Sequence, residues 1–304
     1  MSPAAAIVPD WAASLKGVSS RGAARVLGVG PEGPNVVALH ARADPGQWVV
    51  AKHYRDDAGA GAGAGAGAAM TALRQALAEL EDPPLAIPRV LEWDDRRRVL
   101  LQSLAPGRPL LAELHSTRRR VAIRAAGRAL ACLHRTPVRV GRVAGIAEHL
   151  AQLVRPHPDV VALDLPAIGD RIRAVTATLA AWSPPPEVVR PVAIHRDAHP
   201  RQMFLDGPRV WIVDWDLYAR GDAALDVANF AVYLRTHLAR GADAAAADFV
   251  EAYLGAGTDV TARLPRFIAL TYVRLIAKHA RLRRPGWRAR IRVYLDRAEQ
   301  ALSP

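Results

Sequence analysis

VAIHRDAHPRQMFLDGPRVWIVDWDLYARGDAALDVANF, residues 192–230, is the stretch of sequence that determines the fold of this chain. A short apolar run leads into Asp197, and a second apolar run, which follows a turn at 206–208, leads into Asp214. The pattern predicts two neighbouring strands, each of which ends in an aspartate. We therefore expect both carboxylates at one edge of a sheet, where such a pair can hold Mg²⁺ and accept the proton of a hydroxyl group.

The order of polar residues in this stretch resembles the catalytic and metal-binding loops of kinase-like phosphotransferases. His195 and Asp197 form a His-x-Asp motif, Gln202 supplies an amide five residues later, and a hairpin then leads to Asp214 followed by an aromatic residue. The aminoglycoside phosphotransferase and choline kinase branch is the most similar, because a His-Pro pair at His199 follows the first aspartate. This resemblance implies a phosphotransferase that uses ATP and Mg²⁺.

The resemblance also implies a role for each residue of the motif. Asp197 would be the catalytic base that orients the acceptor hydroxyl group, and Gln202 and Asp214 would be the magnesium ligands. His195 would hold the loop in place through hydrogen bonds. Asp226 would support the same loop from a buried position.

A glycine-rich segment near the N-terminus fits the same family. Three short strands are predicted between residues 25 and 54, and Gly28, Gly30 and Gly33 form a GxGxxG pattern between the first two. Pro34 and β-branched residues follow the pattern in place of the helix that a dinucleotide site needs, so the glycines belong to a β-hairpin. In a kinase-like protein, such a hairpin covers the nucleotide phosphates.

Two further nucleotide contacts are implied by the resemblance. Lys52, at the end of the third predicted strand, would bind the α- and β-phosphates of ATP. Backbone groups of Ser103, Leu104 and Ala105 would bind the adenine, because a Pro- and Gly-rich turn after them has the position of the family's hinge.

Two positions depart from the family pattern. Gln202 stands where the family has Asn, and no carboxylate is present near Ala69 and Met70, where the family has a Glu that pairs with the strand lysine. Glu79 and Glu81 lie at the far end of that predicted helix. These departures leave a second hypothesis open, a catalytically impaired protein that binds nucleotide or a metabolite as a regulator.

The predicted fold class is α+β, a two-lobed protein-kinase-like fold. Residues 1–104 would form a small N-lobe with an antiparallel β-sheet and one helix, and residues 105–304 a larger, mainly helical C-lobe with the catalytic loop, the metal loop and the acceptor pocket. The Ala/Gly alternation at 58–69 is predicted to be a flexible insertion, because it offers little side chain to bury. The N-lobe helix is expected from about residue 70 to residue 80.

Apolar periodicity predicts most of the C-lobe helices. They are expected at 120–134, 147–153, 168–182, 225–238, 244–254, 264–279 and 287–302. A solvated face is the favoured interpretation for eight basic residues in the last two helices and the segment between them, which are Arg274, Lys278, Arg281, Arg283, Arg284, Arg288, Arg290 and Arg292. If these residues faced the acceptor, an acidic or phosphorylated acceptor would follow.

Composition narrows the remaining classes of function. The chain has 304 residues, a formal net charge of +12 and a single cysteine, and no apolar run approaches the ~20 residues of a membrane span. We therefore expect a cytoplasmic protein without disulfides, whose partners are a nucleotide and a small hydroxyl compound. The positive charge favours acidic partners and argues against a polycationic antibiotic. Nucleic-acid binding has little support because no recognised motif is present.

Overall fold

The structure is a computed structural model that describes residues 25–29, 35–41, 48–183 and 190–303. Its strands are β1 (Arg25–Val29), β2 (Asn35–Ala41), β3 (Trp48–Tyr54), β4 (Leu85–Ala86), β5 (Val90–Asp94), β6 (Val99–Ser103), β7 (Arg108–Pro109), β8 (Val143–Ala144), β9 (Val192–Ile194), β10 (Met203–Asp206), β11 (Arg209–Ile212) and β12 (Ala219–Gly221). Its helices are α1 (Asp57–Ala78), α2 (Leu110–Glu113), α3 (Arg119–Arg135), α4 (Ile146–Leu153), α5 (Pro158–Asp164), α6 (Pro166–Ala180), α7 (Ala224–His237), α8 (Ala242–Leu254), α9 (Leu264–Leu282) and α10 (Trp287–Leu302). The predicted α+β class is confirmed.

The chain divides into two compact units. The first contains the described residues up to Arg108 together with Phe204–Tyr218, and the second contains Pro109–Met203 and the residues from Ala219 onward. Most of the hairpin of β10 and β11 therefore lies in the first unit, although residues 105–304 were predicted to form the C-lobe. The lobe boundary at 104/105 stays a prediction. Strand β11 of this hairpin pairs in parallel with β4, which also belongs to the first unit.

The first unit is built on a five-stranded antiparallel sheet in the order β1-β2-β3-β6-β5. Successive residues of β3 alternate between its two faces. Val49 and Ala51 pack with Val99 and Leu101 of β6 in an apolar cluster on one face. The other face of β3 presents Lys52 and Tyr54, which is why this strand can serve the core and a polar site at once.

The segment predicted to be flexible, residues 58–69, is helical and forms the first half of α1. Asp56 caps the helix by accepting a hydrogen bond from the Gly59 backbone N–H at 2.7 Å. Gly59, Gly63 and Gly67 recur every four residues and are buried on one face of the helix. Because glycine has no side chain, that face can approach the sheet closely. Tertiary packing therefore outweighs the low helix propensity of glycine.

Two glycines of α1 should respond oppositely to substitution by alanine. A methyl group at Gly63 would lie 2.4 Å from the Tyr54 ring, whereas one at Gly61 would have no neighbour within 4 Å. Gly63→Ala is expected to destabilise the protein by about 1–2 kcal/mol, because the cost of overpacking exceeds the gain in helix propensity. Gly61→Ala, the matched control, is expected to stabilise it by about 0.5–1 kcal/mol. Urea unfolding measures both, and stabilisation by both substitutions would contradict the packing of this face.

The second unit is mainly helical around α7. Every residue of α7 from Ala224 to Leu234 is buried, and Phe230 stacks on Phe249 of α8 with ring centroids 4.3 Å apart. Helices α3, α8 and α9 pack around it, and α10 packs on α9. The small sheet β8-β12-β9 holds the residue that precedes the His-x-Asp motif. Among the described helices, none combines the length and the apolar character that crossing a membrane requires.

Candidate functional site

In the first unit, Lys52 lies between two aspartates. Its Nζ is 2.5 Å from Asp214 Oδ1 and 2.6 Å from Asp216 Oδ2. Tyr54, two residues along β3 on the same face, donates a hydrogen bond from its hydroxyl group to Asp216 at 2.8 Å. Sequence alternation along the strand thus brings a lysine and a tyrosine to the same carboxylates.

The two aspartates stabilise the charged form of Lys52. Burial alone would lower the pKa of Lys52, but the negative charges of Asp214 and Asp216 outweigh burial and raise that pKa above its usual value. Burial also raises the pKa of Tyr54, with a further contribution from Asp216. Lys52 is therefore a buried ammonium group and Tyr54 a neutral donor at neutral pH.

Asp214 has an unusual backbone conformation. Its φ of 68° and ψ of 63° are left-handed, which is uncommon for a residue other than glycine. Trp215, which follows it, is almost fully buried and donates from its indole nitrogen to the Ile212 carbonyl at 3.0 Å. This anchor holds the strained turn and leaves the Asp214 side chain 39% exposed.

In the second unit, the His-x-Asp loop contains another left-handed residue, Arg196, with φ of 68°. The Arg196 carbonyl accepts hydrogen bonds from Asn229 Nδ2 at 3.1 Å and from Arg274 Nη1 at 3.0 Å. Its guanidinium donates to Gln152 Oε1 at 3.0 Å. These contacts fix the residue immediately before Asp197, and so fix the direction of the Asp197 side chain.

Asp226 holds the His-x-Asp loop through hydrogen bonds to its backbone. It is fully buried and accepts the backbone N–H groups of His195 at 2.6 Å and Arg196 at 2.7 Å. His134 Nε2 lies 3.2 Å from the same carboxylate, and the other ring nitrogen of His134 bonds to the Tyr253 hydroxyl. Burial alone would raise the pKa of Asp226, but the hydrogen bond and charge of His134 lower it below its usual value.

Asp197 is one-third exposed and has two basic neighbours. Arg274 Nη2 is 3.3 Å from its Oδ1, and His199 Nε2 is 3.5 Å from its Oδ2. Burial alone would raise the pKa of Asp197, but the His199 hydrogen bond and the Arg274 charge hold it well below its usual value. The carboxylate is therefore ionised at neutral pH, as a proton acceptor must be.

Of the predicted metal ligand Gln202 and the three predicted glycines, the structure describes Gln202 and Gly28. Gln202 ends a short 3₁₀ turn, Pro200–Gln202, directly before β10. Gly28 lies in β1, which pairs antiparallel with β2 as a hairpin requires, and Gly30 and Gly33 lie outside the described residues.

The predicted adenine contacts lie at the end of β6. Ser103 exchanges hydrogen bonds with Arg89: its N–H donates to the Arg89 carbonyl, and its hydroxyl accepts from the Arg89 N–H, both at 2.9 Å. Leu104 is exposed and Ala105 is buried. Their contact with adenine stays a prediction.

Three residues of the two clusters were not predicted from the sequence. Asp216, in the loop that follows β11, contacts Lys52 and Tyr54. The alternation of β3 could have indicated Tyr54. Arg274 was expected on a solvated face, but it bonds Asp197 and the Arg196 carbonyl, and no local sequence pattern signals such a long-range contact.

The donor chemistry of these residues fits a magnesium ion. The carboxylate of Asp214 and the side-chain carbonyl of Gln202 are hard oxygen donors, the type that Mg²⁺ prefers. Within the described residues, no group of three or more His, Cys, Asp or Glu side chains could hold a metal by itself. Mg²⁺ commonly keeps only one or two protein ligands and takes the others from phosphates and water.

The chain is similar to known phosphotransferases. The model of the phosphotransferase enzyme family (APH) matches residues 37–265. No curated protein matches. A crystal structure of a choline/ethanolamine kinase family protein from Mesorhizobium loti is similar over 96% of this chain and 92% of that one, with 18% identity and a TM-score of 0.64.

Two kinases solved with bound ligands are also similar. The amicoumacin kinase hAmiN, in complex with AMP-PNP, Ca²⁺ and Ami, has 15% identity over 92% of this chain and 88% of that one, with a TM-score of 0.64. The streptomycin-ATP-APH(2″)-IIa ternary complex has 12% identity over 96% of each chain, with a TM-score of 0.62. These likenesses confirm the kinase-like fold, and the family match over residues 37–265 shows that the chain belongs to the APH phosphotransferase enzyme family.

Proposed function

We propose that this protein transfers the γ-phosphoryl group of ATP to a hydroxyl group of a small molecule. The observation that carries the proposal is the ion pair of buried Lys52 with partly exposed Asp214, a cation and a carboxylate of the kind that binds nucleotide phosphates and their metal ion. Of the solved structures with the same fold, one holds AMP-PNP, Ca²⁺ and Ami, and another holds streptomycin and ATP. The family and these ligands support nucleotide and small-molecule binding here.

Each residue has one task in the proposed reaction. Lys52 donates hydrogen bonds to phosphate oxygens, which compete with Asp214 and Asp216 for the ammonium group. Asp214 and Gln202 would hold a magnesium ion, which would neutralise charge on the phosphates. Asp197 accepts the proton of the acceptor hydroxyl as its oxygen bonds to phosphorus and the bond from phosphorus to ADP breaks.

A catalytically impaired nucleotide binder is the second candidate. Gln202 replaces the family's Asn and has a longer side chain, so metal geometry must adjust by about one methylene group. In addition, both carboxylates on Lys52 come from the loop after β11, and α1 presents buried Ala69 and Met70 on its inner face. Either feature would lower turnover without removing nucleotide binding.

Acceptor-dependent release of ADP tests the proposal. We expect the protein to release ADP from Mg-ATP when a suitable hydroxyl compound is present, with a phosphorylated product visible by ³¹P NMR. Asp214→Asn should lower kcat by about 10²–10³-fold, because it removes a charge that stabilises the transferring group. Glu81→Gln, which changes an exposed carboxylate three residues after the end of α1, is the matched control and should leave kcat unchanged.

The two candidates give different results in this experiment. If no acceptor stimulates ADP release while Mg-ATP still raises the melting temperature, the impaired nucleotide binder is correct. If Mg-ATP neither turns over nor stabilises the protein, both candidates are wrong.

A further inference from the structure

The second unit contains an open pocket beside Asp197. Its volume is about 740 Å³, and its walls come from the His-x-Asp loop, from the end of α4 and from α7, α9 and α10. The aromatic part of the wall is a row of stacked rings in which Tyr233 lies between His199, at 5.3 Å, and His237, at 3.8 Å. A pocket of this size accommodates a sugar-sized or larger molecule.

The charge on the pocket wall is strongly one-sided. Asp197 is the one carboxylate among the residues that line it in the described part of the chain. Against it stand Lys278 and six arginines: Arg155, Arg201, Arg274, Arg281, Arg284 and Arg290. The wall therefore has a formal excess of six positive charges when its histidines are neutral.

Several of these cations have no internal counter-charge. Among the described residues, Arg155, Lys278 and Arg284 make no ion pair with a carboxylate, whereas the neighbouring Arg283, outside the pocket, pairs with Asp164 at 2.5 Å. The pocket wall thus includes three cations that no carboxylate of the described residues neutralises. An anionic ligand would supply the missing counter-charge.

The spacing of the cations on α9 has an energetic consequence. Arg274, Lys278 and Arg281 are four and three residues apart, so they lie on one face of the helix. Like charges at this spacing destabilise a helix by a few tenths of a kcal/mol per pair. The fold tolerates this repulsion at the pocket wall, where a ligand can relieve it.

The positive charges of the pocket wall also lower the pKa values of two of its histidines. Burial lowers the pKa of His279, and the charges of Arg290, Lys278 and Arg284 lower it further. Burial also lowers the pKa of His237, with contributions from Arg201 and Lys278. Both rings are therefore neutral near pH 7 and can donate or accept hydrogen bonds without adding to the charge.

We propose that the acceptor of this phosphotransferase is an anion, a hydroxyl compound that already has a phosphate or carboxylate group. This inference rests on the proposed function, because it takes Asp197 as the residue that receives the hydroxyl proton. The acceptor hydroxyl lies at Asp197, and its anionic group lies among the cations of α9 and the segment that leads into α10. A polycationic acceptor meets repulsion from the same wall.

A series of acceptors with similar frames and different charges tests the inference. Glucose, glucosamine, glucuronate and glucose 6-phosphate have similar frames and differ in charge, and ADP release is measured for each at constant ionic strength. We expect turnover with the anionic members to exceed turnover with glucosamine by at least about tenfold in kcat/KM. Comparison of glucuronate with glucose 6-phosphate then distinguishes a carboxylate from a phosphate as the recognised group.

Charge-reversal variants connect the selectivity to the pocket. The double variant Lys278→Glu/Arg284→Glu should raise KM for the anionic acceptor at least about tenfold and leave KM for Mg-ATP unchanged. Arg292→Glu makes the same change at an exposed site on α10 outside the pocket, and it should alter neither constant. An unchanged KM for the anionic acceptor in the double variant overturns the inference, as does a preference for glucose or glucosamine.

Two further outcomes separate this inference from the proposed function. If no acceptor is phosphorylated, the proposed function fails, and thermal stabilisation by glucose 6-phosphate beyond that by glucose, lost in the double variant, still supports an anion pocket. Absence of that difference overturns the inference as well. Tighter, salt-dependent binding of a random oligonucleotide that the double variant loses would assign the pocket to nucleic acid and overturn the inference.

Discussion

Asparagine in place of Asp197 is expected to lower kcat by about 10²–10⁴-fold, the usual contribution of a general base. The amide has nearly the same shape as the carboxylate but cannot accept the hydroxyl proton. Folding should be little affected, because the side chain is one-third exposed and Arg274 keeps its bonds to the Arg196 carbonyl and to Asn229 Oδ1. Single-turnover ADP release, together with the melting temperature and ATP affinity of the variant, measures the effect.

Asp206→Asn is the matched control for this substitution. Asp206 is exposed in the same stretch of sequence, at the end of β10, so the variant makes the same chemical change without touching the loop. The control should keep the kcat of the unmodified protein. A kcat for Asp197→Asn within about tenfold of that value would mean that another group receives the proton, or that the step needs no base.

The regular elements of the second unit were predictable because their apolar residues follow helical periodicity. The helices expected at 264–279 and 287–302 are found as Leu264–Leu282 and Trp287–Leu302, and the one expected at 225–238 is found as Ala224–His237. Helices α9 and α10 each bury one apolar face, whereas α7 is buried all round from Ala224 to Leu234. Local pattern and tertiary packing therefore agree. The short helix Pro158–Asp164 was missed, since seven residues are too few for a clear period.

Features that depend on contact between distant residues were not predictable. Residues 58–69 form a helix because their glycines fit against Tyr54 and Trp93, and a Gly/Ala alternation alone does not signal such a surface. From the sequence, a solvated face was the favoured interpretation for the basic residues of α9. Only the fold shows that Arg274 turns toward Asp197.

The second large effect is expected at Asp226. Asp226→Ala should destabilise the protein by about 3–5 kcal/mol, because each buried hydrogen-bonding group left without a partner costs about 1–3 kcal/mol. The substitution leaves the backbone N–H groups of His195 and Arg196 without their acceptor in a dry interior, and it leaves His134 with only its Tyr253 bond. Urea unfolding at neutral pH measures this loss. A destabilisation below about 1 kcal/mol would mean that the loop is held mainly by its other contacts.

The destabilisation caused by Asp226→Ala should depend on pH, whereas a substitution that only creates a cavity would have the same cost at every pH. The pKa of Asp226 is depressed in the folded state, so its stabilising contribution is present above the unfolded value of about 3.9 and is lost as pH falls through the folded value. The gap in stability between the unmodified protein and Asp226→Ala should therefore be constant above about pH 5 and narrow in more acidic solution. Asp243→Ala, which removes an exposed carboxylate paired with Arg235, should cost less than about 1 kcal/mol. A gap for Asp226→Ala that did not change on acidification would show that the lost packing, and not the lost charge, causes the destabilisation.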